Sequence, residues 1–198
     1  MIGNSAETPD AALHGRAIPW VVALAAMAFT VVILRWEGRR WWCACGELYL
    51  WASNIDSSHC SQHLFDPYSF THIEHGLIAF SLLTWLRPGW SVSWRLCATV
   101  LYACGWEILE NSTFIIERYR AHTLALNYLG DSVGNSMGDI LSCAAGFAIA
   151  SKLGVRRSLA LFVVLEVLLL LIIRDNLTLN IVMLLYPVNR VKAWQMGR

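Results

Sequence analysis

Charge is what this chain has least of. Asp, Glu, Lys and Arg make up 15% of its 198 residues, 14 acidic against 15 basic, for a formal net charge of +1. Without a basic excess, or a basic patch interleaved with aromatics, it offers no electrostatic footprint for nucleic acid. It also lacks a Gly-rich phosphate loop and a G-x-S-x-G nucleophile elbow, which removes P-loop nucleotide chemistry and the α/β-hydrolase plan. Short tandem repeats are absent, so a solenoid is excluded. What is present is apolar: 57% of the residues are hydrophobic and ten are tryptophan. The length suits one domain, here an integral membrane domain over residues 1–198.

A spanning helix needs roughly 20 residues at about 1.5 Å each to cross a ~30 Å hydrocarbon core. Ala17–Leu34 meets that requirement alone. Ala26-Met27-Ala28 resembles a signal-peptide cleavage site, but the run continues beyond it and is followed at once by Arg35, Arg39 and Arg40, so an uncleaved first helix is expected. The other apolar runs are too short. Leu77–Leu86 must begin near Tyr68–Phe70, Leu96–Trp106 must run on through Glu107 and Glu110, and Ile140–Leu153 must start near Gly130. The predicted spans are therefore 17–34, 69–86, 94–114, 131–152 and 158–175. The stretch 177–187 is left open as a sixth crossing, a re-entrant or interfacial helix, or a continuation of the fifth.

These extensions draw six ionisable groups into the membrane: His72 and His75, Glu107 and Glu110, Asp131 and Asp139. Each costs at least ~2.5–3.5 kcal/mol at the bilayer centre, so such groups are rare and usually functional. Because crossings alternate direction, helix two starts on the face where helix three ends and helix four starts. All three pairs are predicted at that face, together with Asp175 and the long loop Arg35–Pro67. The opposite face carries Arg16, and then Arg87, Arg95, Lys152, Arg156 and Arg157 in two compact loops without acids, which favours the polar cluster facing the periplasm.

His72 and His75 share a helical face, as do Glu107 and Glu110. Asp131, Asn135, Gly138, Ser142 and Gly146 fall three or four residues apart, and Gly134-x-x-x-Gly138 is a pair of small residues expected to admit a neighbouring helix. For the six ionisable residues three readings stay open. They form a structural hydrogen-bond network with Arg118 or Arg120 as counter-ion; a divalent metal site using His72, His75 and Asp139; or a metal-free pocket for acid–base chemistry or headgroup binding. In the loop, Cys43, Cys45, Cys60, His59 and His63 leave open zinc or copper binding, a disulfide from Cys60 to Cys43 or Cys45, and free thiols. Trp36, Trp41, Trp42 and Trp51 are read as interfacial anchors. Cys97, Cys104 and Cys143 are read as small packing residues, and Glu166 has no evident partner.

From Glu107-Ile-Leu-Glu110 through Arg118-Tyr-Arg120 to Asp131-x-x-x-Asn135-x-x-Gly138, with His75 on the preceding helix, the chain resembles the VanZ-like membrane proteins. Glu110 stands where those proteins usually carry glutamine, and either Arg118 or Arg120 matches their arginine. Over almost the whole chain, Trp41-Trp42-Cys43-Ala44-Cys45-Gly46, Ser57 to His63, Asp131-Ser132 and Arg174 to Asn180 resemble an uncharacterised family of bacterial, mainly alphaproteobacterial, multi-pass inner-membrane proteins. The resemblance implies an inner-membrane location and a polytopic architecture, and hints at cell-envelope chemistry.

The expectation is an all-α polytopic transmembrane bundle with the lipid bilayer as its surroundings. Its polar pocket would bind or modify an envelope lipid or headgroup. Glu107, Glu110 and Asp131 are the candidate acid–base residues, and Arg118, Arg120 and Asn135 the candidate substrate-binding ones. The competing expectation is a non-catalytic membrane protein, such as a small transporter, metal handler or assembly partner, whose polar network is structural.

Overall fold

A computed structural model describes residues 9–123 and 128–197. Among them all regular structure is helical: α1 (Pro9–Trp36), α2 (Ser69–Leu86), α3 (Val92–Glu110), α4 (Thr113–His122), α5 (Val133–Leu153), α6 (Val155–Ile173), α7 (Leu177–Leu185) and α8 (Asn189–Met196). Four helices start on a side chain that accepts from the first turn: Ser91 from Trp94 N–H, Ser112 from Ile115, Ser132 from Asn135 and Asn176 from Leu179. Such caps satisfy donors that a helix cannot satisfy itself.

The caps also redraw three of the predicted boundaries. The third span stops at Glu110 rather than running to 114, because Asn111 folds its amide onto the Glu107 carbonyl (3.0 Å) and Ser112 opens a new helix. Asp131 lies ahead of α5, since Ser132 is the cap; the polar stripe on that helix therefore begins at Asn135. The final apolar stretch does not continue the preceding helix. Arg174 takes a left-handed φ of 53°, ends α6, and lets Asn176 start α7 in a new direction.

α2 and α5 are the central pair; α3 packs against both, α1 lies on α3, α6 closes the other side, and α7 rests on α4. The central contact is backbone to backbone. A Cβ on Gly76 would sit 2.0 Å from the Cys143 carbonyl oxygen, and one on Gly146 would sit 2.1 Å from that of Ile73, so neither position has room for a side chain. Gly134 and Gly138 behave differently from expectation. They admit the α1–α2 loop rather than a helix: the Trp42 ring covers Gly134, and the Leu64 carbonyl reaches Gly138. Trp42 is therefore a packing residue, whereas Trp36, Trp41 and Trp51 remain exposed. Cys97, Cys104 and Cys143 are buried together with Val100, Ala103 and Ile140.

The outer surface is apolar. Leu24, Phe29 and Val32 on α1, Val163, Leu171 and Ile172 on α6, and Trp85 on α2 are all more than half exposed. Two stretches, Ala17–Trp36 and Val133–Leu153, are long and apolar enough to cross a membrane by length and composition.

Candidate functional site

At the end of the bundle where α2 and α5 begin and α3 ends, a cavity of about 70 Å³ opens between α2, α3, α4 and α7. That is room for several water-sized groups. Its wall includes His72, His75, Glu110, Asp131, Asp139 and Asp175. Glu107 is fully buried immediately behind, its Oε1 3.5 Å from His72 Nδ1, while His72 Nε2 lies 3.9 Å from an Asp139 oxygen. One imidazole thus stands between carboxylates from two helices. Ligand atoms of His72, Glu107 and Glu110 all lie within 4.8 Å of one another.

Three of the carboxylates are held by named donors. Asn111 donates from Nδ2 to Asp131 (3.1 Å) and accepts the Asp131 backbone N–H on its Oδ1 (2.7 Å), a reciprocal clamp between the end of α3 and the entry to α5. Tyr128 donates its hydroxyl to Asp131 (2.8 Å), Ser69 donates to Asp139 (2.8 Å), and Tyr68 donates to Asp175 (3.2 Å). Glu110 Oε2 has no hydrogen-bond partner although it is shielded from solvent.

Cations are absent from this wall among the described residues. The nearby guanidinium groups are occupied elsewhere. Arg118 donates to the carbonyls of Leu184 and Leu185 at the end of α7, Arg120 to that of Tyr128, and Arg39 to that of Leu129. The N-terminus of α5 is taken as well. Val133 N–H donates to the Arg40 carbonyl (2.8 Å), Gly134 N–H to that of Trp41 (3.1 Å), and Ser132 N–H to that of Ser61 (2.9 Å). The first turn of α5, otherwise a natural seat for an anion, is closed by the loop.

Of the residues singled out from sequence, His72, His75, Glu107, Glu110, Asp131 and Asp139 meet at or directly behind this cavity. They are not equivalent. His75 turns edge-on toward Tyr102 and Trp106 and lies outside the His72–Glu107–Glu110 group. Asn135 is buried on α5 with its Nδ2 unpartnered, away from the wall, and Arg118 and Arg120 brace the rim. Glu166 does have a partner: its Oε1 accepts from Thr178 N–H (3.2 Å), tying α6 to the start of α7.

The sequence pattern did not single out Tyr68, Tyr128 or Asn111 as site residues, although they orient the acids. Asp66 was also missed. It accepts from Ser61 N–H and Tyr68 N–H at 2.8 Å each and anchors the loop where it enters α2. Burial pushes its carboxyl above the ordinary range, against the pull of those two bonds. A usable signal existed in Asp66-Pro67-Tyr68-Ser69, an acid followed by proline at a helix entrance.

A family model described as a protein of unknown function (DUF2585) matches residues 34–197. The chain is 42% identical over 180 residues to a UPF0314 protein of Paracoccus denitrificans, covering 91% of this chain and 93% of the relative. It is 44% identical over 183 residues to the UPF0314 protein R03235 of Rhizobium meliloti, covering 92% and 93%. A UPF0314 protein of Sphingopyxis alaskensis is 43% identical over 178 residues, covering 90% and 95%. No solved structure matches the chain.

Proposed function

The chain belongs to the DUF2585 family of proteins of unknown function, and we propose that it is a bacterial inner-membrane protein whose cavity binds the positively charged group of an envelope-lipid headgroup. In this reading α1, α2, α3, α5 and α6 are five crossings of one domain, and α7 is too short to cross. The four shorter of those crossings have 18 to 21 residues, about 27–32 Å of helix. Their apolar faces turn outward, and the polar residues that kept their hydropathy low turn inward.

The observation that carries the proposal is the charge of the cavity wall: Glu110, Asp131, Asp139 and Asp175, with Glu107 behind and no Lys or Arg among the described lining residues. An anionic group would meet like charge there; an ammonium group would meet acceptors. In this reading Glu110 and Asp131, on the wall, exchange a proton with a bound amine, and Glu107 stands behind them. The second reading is a divalent cation held by His72, Glu107 and Glu110, favoured by their mutual distances within 4.8 Å.

The test is the lipid that accompanies the purified protein. Protein extracted in mild detergent is expected to be enriched in amine-bearing lipids over the membrane average, and Glu110→Gln with Asp139→Asn is expected to abolish that enrichment. Enrichment of purely anionic lipids, or none at all, overturns the proposal. Near-stoichiometric metal lost on Glu107→Gln, without lipid enrichment, selects the second reading.

A further inference from the structure

A second group of metal-ligating side chains lies outside the cavity, in the loop between α1 and α2. Apart from single turns, and two backbone hydrogen bonds that pair Trp51 with Phe65, residues 37–66 contain no regular structure. A connection of that length without internal structure normally needs something to hold it. Yet ligand atoms of Cys43, Cys45, His59 and His63 all come within 4.8 Å of one another. Cys43 Sγ is 3.6 Å from His59 Nδ1, and His59 Nδ1 is 3.0 Å from His63 Nε2. The two imidazoles are stacked, with centroids 5.3 Å apart. His63 and Cys43 are buried.

We infer that Cys43, Cys45, His59 and His63 form a structural Cys2His2 site for zinc that fastens this loop. A tetrahedral zinc ion with bonds of ~2.3 Å to sulfur and ~2.0–2.1 Å to nitrogen sets sulfur–nitrogen separations of about 3.6 Å and nitrogen–nitrogen separations of about 3.4 Å. The sulfur–nitrogen spacing of 3.6 Å matches, and the imidazole nitrogens, 3.0 Å apart, would separate by about 0.4 Å to take the ion. The donor set is the borderline-soft one zinc prefers, in contrast to the oxygen-rich cavity. Four protein ligands complete the tetrahedron and leave no open position, so the role is structural.

The third cysteine is excluded by its surroundings. Cys60 Sγ faces Asp66 at 3.7 Å rather than the cluster. Without metal, Tyr49 N–H donates to His63 Nδ1 (3.3 Å) and the ring proton lies on Nε2, facing His59. Loading moves that proton to Nδ1, lengthens the Tyr49 contact, and releases the two thiol protons to solvent; no redox step occurs.

The experiment uses the full chain in detergent, purified under reducing conditions and analysed for metal and for free thiols. Near-stoichiometric zinc is expected, lost in Cys43→Ser and in His63→Ala and retained in Cys60→Ser. Cobalt(II) added after chelation should give a thiolate-to-cobalt charge-transfer band with tetrahedral visible bands; because this readout uses unaltered protein, it survives a variant that misfolds. The cavity has no thiolate to produce that band, so a cavity metal and a loop metal are distinguishable. Failure of wild-type protein to take up zinc or cobalt, zinc retention in the Cys43→Ser variant, or a disulfide involving Cys43 or Cys45 in protein protected from air overturns the inference.

Discussion

The cavity and the loop cluster each gather histidines with anionic or thiol ligands, but they are held in place differently. In the cavity the groups come from separate helices and the segments that lead into them, and neighbouring side chains and backbone fix much of the network: Asn111 and Tyr128 on Asp131, Ser69 on Asp139. In the loop the groups come from one segment without helix, positioned by turns, the Trp51–Phe65 pairing, the Tyr49 N–H on His63, the Asp66 anchor and docking to α5. The first arrangement should therefore persist whatever the cavity holds. The second should depend on its ligand.

The sharpest way to break this contrast is at the backbone contact beneath the cavity. Gly146→Leu places side-chain atoms where the Ile73 carbonyl sits at 2.1 Å, and the expected cost is about 4 kcal/mol or more. Loss of a monodisperse peak in size-exclusion chromatography would report it; a normally folded variant would show that the α2–α5 contact is looser than described. Asp131→Ala comes next. It removes the carboxylate half of the clamp, keeps the backbone N–H bond to Asn111 Oδ1, and takes the acceptor from the Tyr128 hydroxyl and one of three from Asn111 Nδ2, for an expected loss of about 2 kcal/mol in thermal stability in detergent.

Chelating the loop, or Cys43→Ser, should change the stability of the helical bundle by less than about 1 kcal/mol while exposing the loop to protease between residues 44 and 58. Equal loss of bundle stability and loop protection would erase the distinction between the two regions. The smallest effect on what the cavity binds belongs to Arg118→Ala. Loss of its bonds to the Leu184 and Leu185 carbonyls should cost about 1 kcal/mol and leave the co-purified lipid unchanged. A change in lipid content would return Arg118 to the binding site.

Much of the cavity was legible because span length is a hard constraint. Read as a crossing, Leu77–Leu86 is too short alone and takes in His72 and His75, and alternation of direction then predicts the acids at the same end, where they lie. What could not be read was the local competition at helix ends. Asn111 belongs to an apolar-polar run that continues, on pattern alone, to Ile116; its bonds to the Glu107 carbonyl and Asp131, with the Ser112 cap, end α3 there. The roles of Arg118 and Arg120 were illegible for a similar reason, because their acceptors are backbone carbonyls that a sequence does not display. Gly134 and Gly138 announced a close neighbour but not its identity, since a loop and a helix make the same demand on a glycine. The Cys–His grouping depended on a reversal across residues 46–58 that no periodicity encodes.

The strap of loop carbonyls over the first turn of α5 has a consequence for biogenesis. Arg39 meets Leu129, a partner 90 positions further along the chain, and Arg40 and Trp41 meet Val133 and Gly134. During synthesis the loop therefore emerges, with α1 and α2, long before its docking surface has left the ribosome. A nascent chain halted before α5 should carry this loop undocked and open to labelling, and its protection should appear abruptly once α5 is in place.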